Sequence, residues 1–291
     1  MISPEMAAMN SIDKNREHRV ELSPTMENAY ARAKKILVDS DYGIQEKEFE
    51  GVYDAGTIER DIALTNRLET KFNEERSSYE KNSKKIADVF ESILLMQTEM
   101  NEWLGQNAST LKASRYDDYV NKVDMVAEWS SPEEGSRVLA LAVDVTFGVK
   151  SIEKKMMEIR SEIEKGQLGS IRYFRDQQGD LMGTRKNVAR TVIGISQPVI
   201  EQLAALWLEN KNKALGEHPI QRLIIDQIQM QLSAMERYAI KLGRPHVAQS
   251  YRQALIGITK IKHEKAAISA ASFADDPVAQ EITLQTRKQF A

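Results

Sequence analysis

The sequence predicts a mostly helical α+β protein with a small mixed sheet of about four strands inside it. Stretches with apolar residues at three- and four-residue spacing occupy both ends of the chain. Between them, after Gln106, the pattern turns Val-rich and nearly alternating, as strands do. Composition agrees: 42% hydrophobic and 29% charged residues over 291 positions suit a chain with a packed core. Only 7% are aromatic, and Ala, Glu, Lys, Gln and Met are abundant, which leans toward helix.

Residues 1 to about 25 contain Pro4 and Pro24 without periodicity and read as a flexible lead. A short helix is expected over Glu27 to Val38, followed by an acidic, Gly-punctuated loop from Asp39 to Gly56. Thr57 reads as the N-cap of one long helical region reaching Leu104, striped by Ile86, Phe90, Ile93, Leu94, Met100 and Leu104, with Gly105 as its stop.

Residues 106–196 read as the α/β core. Val120 to Trp129 and Arg137 to Gly148 are two strands, antiparallel because the turn SSPEEGS between them is short. Val149, Ile152, Met156, Ile159 and Ile163 share one face of a helix that Gly166 ends. Short strands Ser170–Phe174 and Asn187–Ser196 follow, and this succession suggests one right-handed βαβ unit. From Gln197 to about residue 265 helices follow one another, with Pro198 in the first turn of the first of them. The segment from Ala266 reads as a tail, either mobile or a detached helix.

Several function classes are disfavoured. No apolar run approaches the ~18 residues of a membrane span, and no apolar secretory segment opens the chain, so a soluble cytoplasmic protein is expected. Without cysteine there is no thiolate chemistry. His18, His218, His246 and His263 are scattered, and no phosphate-binding, dinucleotide-binding or serine-hydrolase motif occurs. A net charge of −3 argues against binding nucleic acid by bulk charge alone. From Lys241 to Lys265 six Lys and Arg stand against Glu264, which reads first as a solvated helix face and second as a phosphate-facing patch.

One constellation carries chemistry. Strand alternation puts Asp124, Val126 and Glu128 on one face, and Asp144 with Thr146 on one face of the next strand. An unpaired carboxylate inside the run LALAVDV is costly to bury unless it pairs, neutralises or binds a cation. Two such carboxylates are ligands that Mg²⁺ or Mn²⁺ accepts, with a substrate phosphate completing the shell. Asp117, Asp118 and Asn121 just upstream are either further metal or water ligands, Asp118 above all, or turn-capping groups. Glu128, near a strand end, is expected to be solvated, and Glu91 on the long helix is a further acid candidate. The opposing reading of Asp124 and Asp144 is a structural ion pair with Lys122 or Lys150.

The succession helix, strand with Asp124, strand with Asp144, amphipathic helix and strand resembles the restriction-endonuclease-like PD-(D/E)xK nuclease superfamily over residues 86 to 196. The resemblance implies an αβββαβ-type order and a Mg- or Mn-dependent nuclease acting on nucleic acid. Asp124 matches the first acid and Asp144 the second. Thr146 stands where the motif has Lys, and Val123 where it has Pro. Thr146 would then orient a ligand or water, and Lys150 (or Lys154) would supply the displaced ammonium. Arg172, Arg185, Lys186 and Arg190 would meet backbone phosphates. The missing Lys also admits a degenerate nuclease fold serving as an interaction module, with the helical regions meeting a protein partner or a second copy.

Overall fold

The computed structural model describes residues 22–39, 41–131, 135–143, 149–176 and 178–291; the side chains of 130, 131, 135–143, 149 and 150 fall outside that description. The expected lead before residue 22 lies outside it too. The fold is α+β and mostly helical, as the sequence predicts.

Helix α1 (Pro24–Leu37) begins where the Ser23 side chain accepts the Met26 amide. The expected long helix is two helices. Helix α2 (Ala55–Glu75) is capped by Asp54, which takes the Thr57 amide, so the cap lies three residues before Thr57. Helix α3 (Ser78–Asn101) starts afresh at a capping box in which Ser77 and Glu80 satisfy each other's backbone amides. The preceding segment is more than loop: a 3₁₀ turn, Glu46–Phe49, forms there, and Gly43 bridges to Lys112.

Five strands form one mixed sheet: β1 (Ala108–Lys112), β2 (Met125–Ser131), β3 (Gly135–Val143), β4 (Gly169–Arg175) and β5 (Met182–Ile193), in the spatial order β1-β2-β3-β5-β4. The first three make an antiparallel meander. β3 and β5 run parallel. The crossover helix α4 (Val149–Glu164) leads first to edge strand β4, and the chain returns through the β4–β5 hairpin to reach β3. The simple strand–helix–strand unit expected from sequence is therefore expanded by one strand.

Helices α5 (Gln197–Leu208), α6 (Asn212–Gly216), α7 (Ile220–Lys241), α8 (Pro245–Glu264) and α9 (Pro277–Gln289) complete the molecule. Helix α9 is no detached tail: Val278 and Ile282 join the main core with Ile228 and Leu232 of α7 and Met156 of α4. Met125 and Ala127 of β2 and Val192 of β5 supply the sheet's share of that core. Burial of such side chains contributes roughly 1.5–3 kcal/mol each. Two cations of the basic run are paired locally, Arg252 with Glu236 and Lys262 with Asp226. Among the described residues no helix is long and apolar enough to cross a membrane.

Candidate functional site

Strand register defines one end of the sheet. Lys112, Met125, Leu141 and Thr191 are successive partners across β1, β2, β3 and β5. Asp124 stands one residue beyond that rung, before β2 begins, so the strand alternation that the sequence suggests does not govern it. Its carbonyl accepts the Ala113 amide. Asp144 and Thr146 lie outside the described residues, and Lys150 belongs to the first turn of α4 with its side chain outside the description.

The connection from β1 to β2 is built on Asp117. This fully buried carboxylate accepts from the Ser114 hydroxyl (2.7 Å), the Asn121 amide group (2.6 Å) and the backbone amides of Arg172 (2.7 Å) and Tyr173 (3.0 Å). With its lone pairs satisfied in this way, Asp117 ties the connection to β4, a structural role different from the turn or cap weighed for it. A single π-helical turn, Asp117–Asn121, then ends at Lys122 in the left-handed region with φ 58°.

Asp118 points back to β1. The Lys112 ammonium lies 3.2 Å from Asp118 Oδ2 and 2.8 Å from Glu91 Oε2 on α3. Lys84, two turns earlier on α3, lies 2.9 Å from Asp88. Lys155 on α4 approaches Asp124 Oδ2 at 3.8 Å. Glu91 is almost completely buried, and the Lys112 and Asp124 side chains are only 12% and 16% exposed. Four carboxylates (Asp88, Glu91, Asp118 and Asp124) and three lysines thus meet at the sheet end from α3, β1, the π turn, the entrance to β2 and α4.

The charges do not compensate evenly. Burial would raise the Asp118 carboxyl, but Lys112 and Lys84 outweigh it and hold the group well below the usual range. Burial would lower Lys112, yet Asp118 and Glu91 hold it above its ordinary value. Asp124 goes the other way. Burial dominates, Lys155 opposes it, Asp118 and Glu91 add repulsion, and the carboxyl is pushed up to about 6. Its anion is the poorly compensated one in the patch.

Among the described residues no three acid or histidine side chains come close enough to hold a metal ion. Lys112, not a space, separates Glu91 from Asp118, so Asp118 faces an ammonium rather than Asp124. A metal site would therefore use Asp124 and residues outside the described set, Asp144 being the one the sequence names.

The basic candidates are dispersed. Arg190 is 4% exposed, and its guanidinium bonds Glu162 on α4 (2.9 Å) and the Asn121 carbonyl (3.2 Å), which removes it from any phosphate-facing surface. Arg172 pairs with Asp61 at 2.7 Å among the rings of Tyr53, Tyr116 and Tyr173. Arg185 and Lys186 are exposed, but Asp124 is level with Val192 by register. The seven residue steps from Arg185 to Val192 span about 20 Å of strand, so these two lie at the other end of the sheet. Glu128 is buried rather than solvated.

Lys112 and Lys155 are not among the candidates drawn from the sequence. Lys112 ends the polar strand ASTLK, which carries no periodic signal. Lys155 was detectable: it adjoins Ile152 and Met156 on the buried face of α4, whereas Lys154 is exposed. No protein-family model matches the chain, and neither a curated protein nor a solved structure matches it.

Proposed function

We propose that the chain is a metal-dependent, nuclease-like phosphodiester hydrolase whose site is the sheet end at Asp124. Convergence is the observation that carries this reading: Glu91, Lys112, Asp118, Asp124 and Lys155, distant in sequence, form one largely buried charged patch. Desolvating each such ion costs several kcal/mol, roughly, and apolar packing would stabilise the fold at least as well. The order α3, antiparallel β1–β2–β3, α4 and a strand parallel to β3 supports the αβββαβ resemblance, with β4 as an addition at the edge.

A divalent cation, when bound by Asp124 with Asp144, would supply Lewis-acid stabilisation and a more acidic water. In the hydrolysis a water oxygen bonds to phosphorus, the bridging P–O bond breaks, and the water's proton passes to the departing oxygen. Lys155, beside Asp124, is better placed than Lys154 for the ammonium that the motif lacks, and Lys112 holds Glu91 and Asp118 in position. Thr146 keeps the ligand-orienting role that the sequence suggests.

A second reading, a catalytically silent scaffold, is favoured by Lys112 itself. It already serves as an internal counter-ion for Glu91 and Asp118. Mn²⁺ titration calorimetry with cleavage assays on single- and double-stranded nucleic acid separates the two. Cation-dependent cleavage that is lost in both Asp124→Asn and Asp144→Asn supports the hydrolase. Absence of cleavage by the wild type across Mg²⁺ and Mn²⁺ leaves the scaffold.

A further inference from the structure

Beside the charged patch lies an aromatic pair that the core does not use. Phe72, in the last turns of α2, and Tyr119, in the π turn, are stacked with ring centroids 5.9 Å apart and planes inclined by 11°. Both are half-buried and belong to none of the three hydrophobic clusters of the fold. Two cations flank the Phe72 ring: the Arg76 guanidinium and the Lys122 ammonium each lie 5.9 Å from its centroid. Lys122 is anchored there by a 2.7 Å bond to the Tyr119 carbonyl.

The pair borders the site. Tyr119 follows Asp118 directly, and Asp118 and Lys84 are among the charges that act on its phenol. Lys84 also acts on Asp118, so it is close to both groups. Glu69, the other acid near Tyr119, is engaged by Arg115.

Half-exposed rings flanked by cations make a stacking platform, because an unpaired base offers a free π-face and its phosphates meet the cations. Bases in a duplex have both faces covered by their neighbours. The geometry points to Phe72 and Tyr119 as the platform for an unpaired nucleobase, so that the substrate presented to the Asp124 site is single-stranded nucleic acid. This inference rests on the phosphodiesterase reading of that site.

The test is fluorescence anisotropy of labelled dT12, rU12 and a 12-base-pair DNA duplex in EDTA, where metal-dependent cleavage is silent. Both single strands are expected to bind the full chain more tightly than the duplex; the ratio of dT12 to rU12 shows which sugar is preferred. Phe72→Leu and Tyr119→Leu should each weaken single-strand binding about tenfold, with Tyr119→Phe retaining it. Unchanged single-strand affinity in the folded Leu variants, or equal affinity for the duplex, overturns the platform. Should the Leu variants fail to fold, photocrosslinking of 5-iodouracil-substituted dT12 to the wild type decides: adducts at Phe72 or Tyr119 support the platform, and adducts confined elsewhere overturn it. Cleavage assays in Mn²⁺ separate the two readings. Cleavage that depends on Asp124 but is indifferent to both rings defeats the platform alone; ring-dependent binding by a chain that never cleaves defeats the hydrolase alone.

Discussion

The side-chain amide of Gln231 clasps the backbone of Val192: Oε1 accepts the Val192 amide at 2.9 Å, and Nε2 donates to the Val192 carbonyl at 2.6 Å and to the Gln227 carbonyl at 3.0 Å. One turn earlier on α7, Gln227 repeats the arrangement with Gly194 at 3.1 and 2.8 Å. Pairing of β4 with β5 reaches only Val188, so beyond it these two glutamines stand in for a strand on the edge of β5 that faces away from β3.

Gln231→Leu should therefore cost roughly 2–4 kcal/mol, since it leaves a buried amide and a buried carbonyl without partners. Urea denaturation checks this as a lower midpoint with an unchanged slope. A loss below about 0.5 kcal/mol would show that the edge is satisfied by other means.

Lys112→Met should destabilise by roughly 3–5 kcal/mol, because Glu91 and Asp118 lose the ammonium between them. Adding Glu91→Gln should restore a measurable part of that loss by removing one stranded anion. A double-mutant cycle of chemical denaturation gives the coupling directly.

Asp124→Asn should raise stability at neutral pH while abolishing the proposed cleavage. The folded state lifts the carboxyl from about 3.9 in an unfolded chain to about 6. The folded state thus binds the proton more tightly, so wild-type stability declines as pH rises from about 4 to about 6 and is then level. The uncharged Asn variant lacks that decline. Melting curves at pH 4, 5, 6 and 7.5 should show the two proteins diverging upward in pH, by on the order of 2 kcal/mol. Curves that stay parallel would mean that Asp124 is well compensated in the folded protein.

Asp117→Ala should be among the most damaging single changes, costing roughly 3 kcal/mol or more, because it strips partners from the Arg172 and Tyr173 amides at once. Hydrogen exchange at those two amides should accelerate ahead of the rest of β4, and uniform acceleration would count against a local role.

The sequence reveals those parts of this fold that local patterns encode. The stripe of α7 runs long enough to fix that helix nearly to the residue, and Gly166 and Gly243 mark helix ends with φ of 70° and 65°. The break before α3 is hidden because helix-forming residues continue on both sides, although the Ser77–Glu80 spacing signals a new start. β1 is too short and polar to show a period, and with it Lys112 goes unseen. The position of β4 at the edge depends on pairing across the sheet, which no local pattern contains. At the site, the composition of the segment 117–124 singles out the acids, but burial sorts them: Asp117 into structure, Asp118 into an ion pair with Lys112, and Asp124 into a carboxyl that burial pushes up despite Lys155.

The carboxylate of Asp276 connects two moments of biosynthesis. Its Oδ2 accepts the Ser196 amide just after β5 at 3.1 Å, and its Oδ1 accepts the amides of Val278 and Ala279 at the start of α9. Eighty residues separate the two sides of this junction. At ribosomal speeds of about 5–20 residues per second, the sheet strands would emerge several seconds before the segment that secures them. During that interval the sheet end and the faces later covered by α7 and α9 would stand open, exposing the nascent chain to chaperones and to mispairing with other chains.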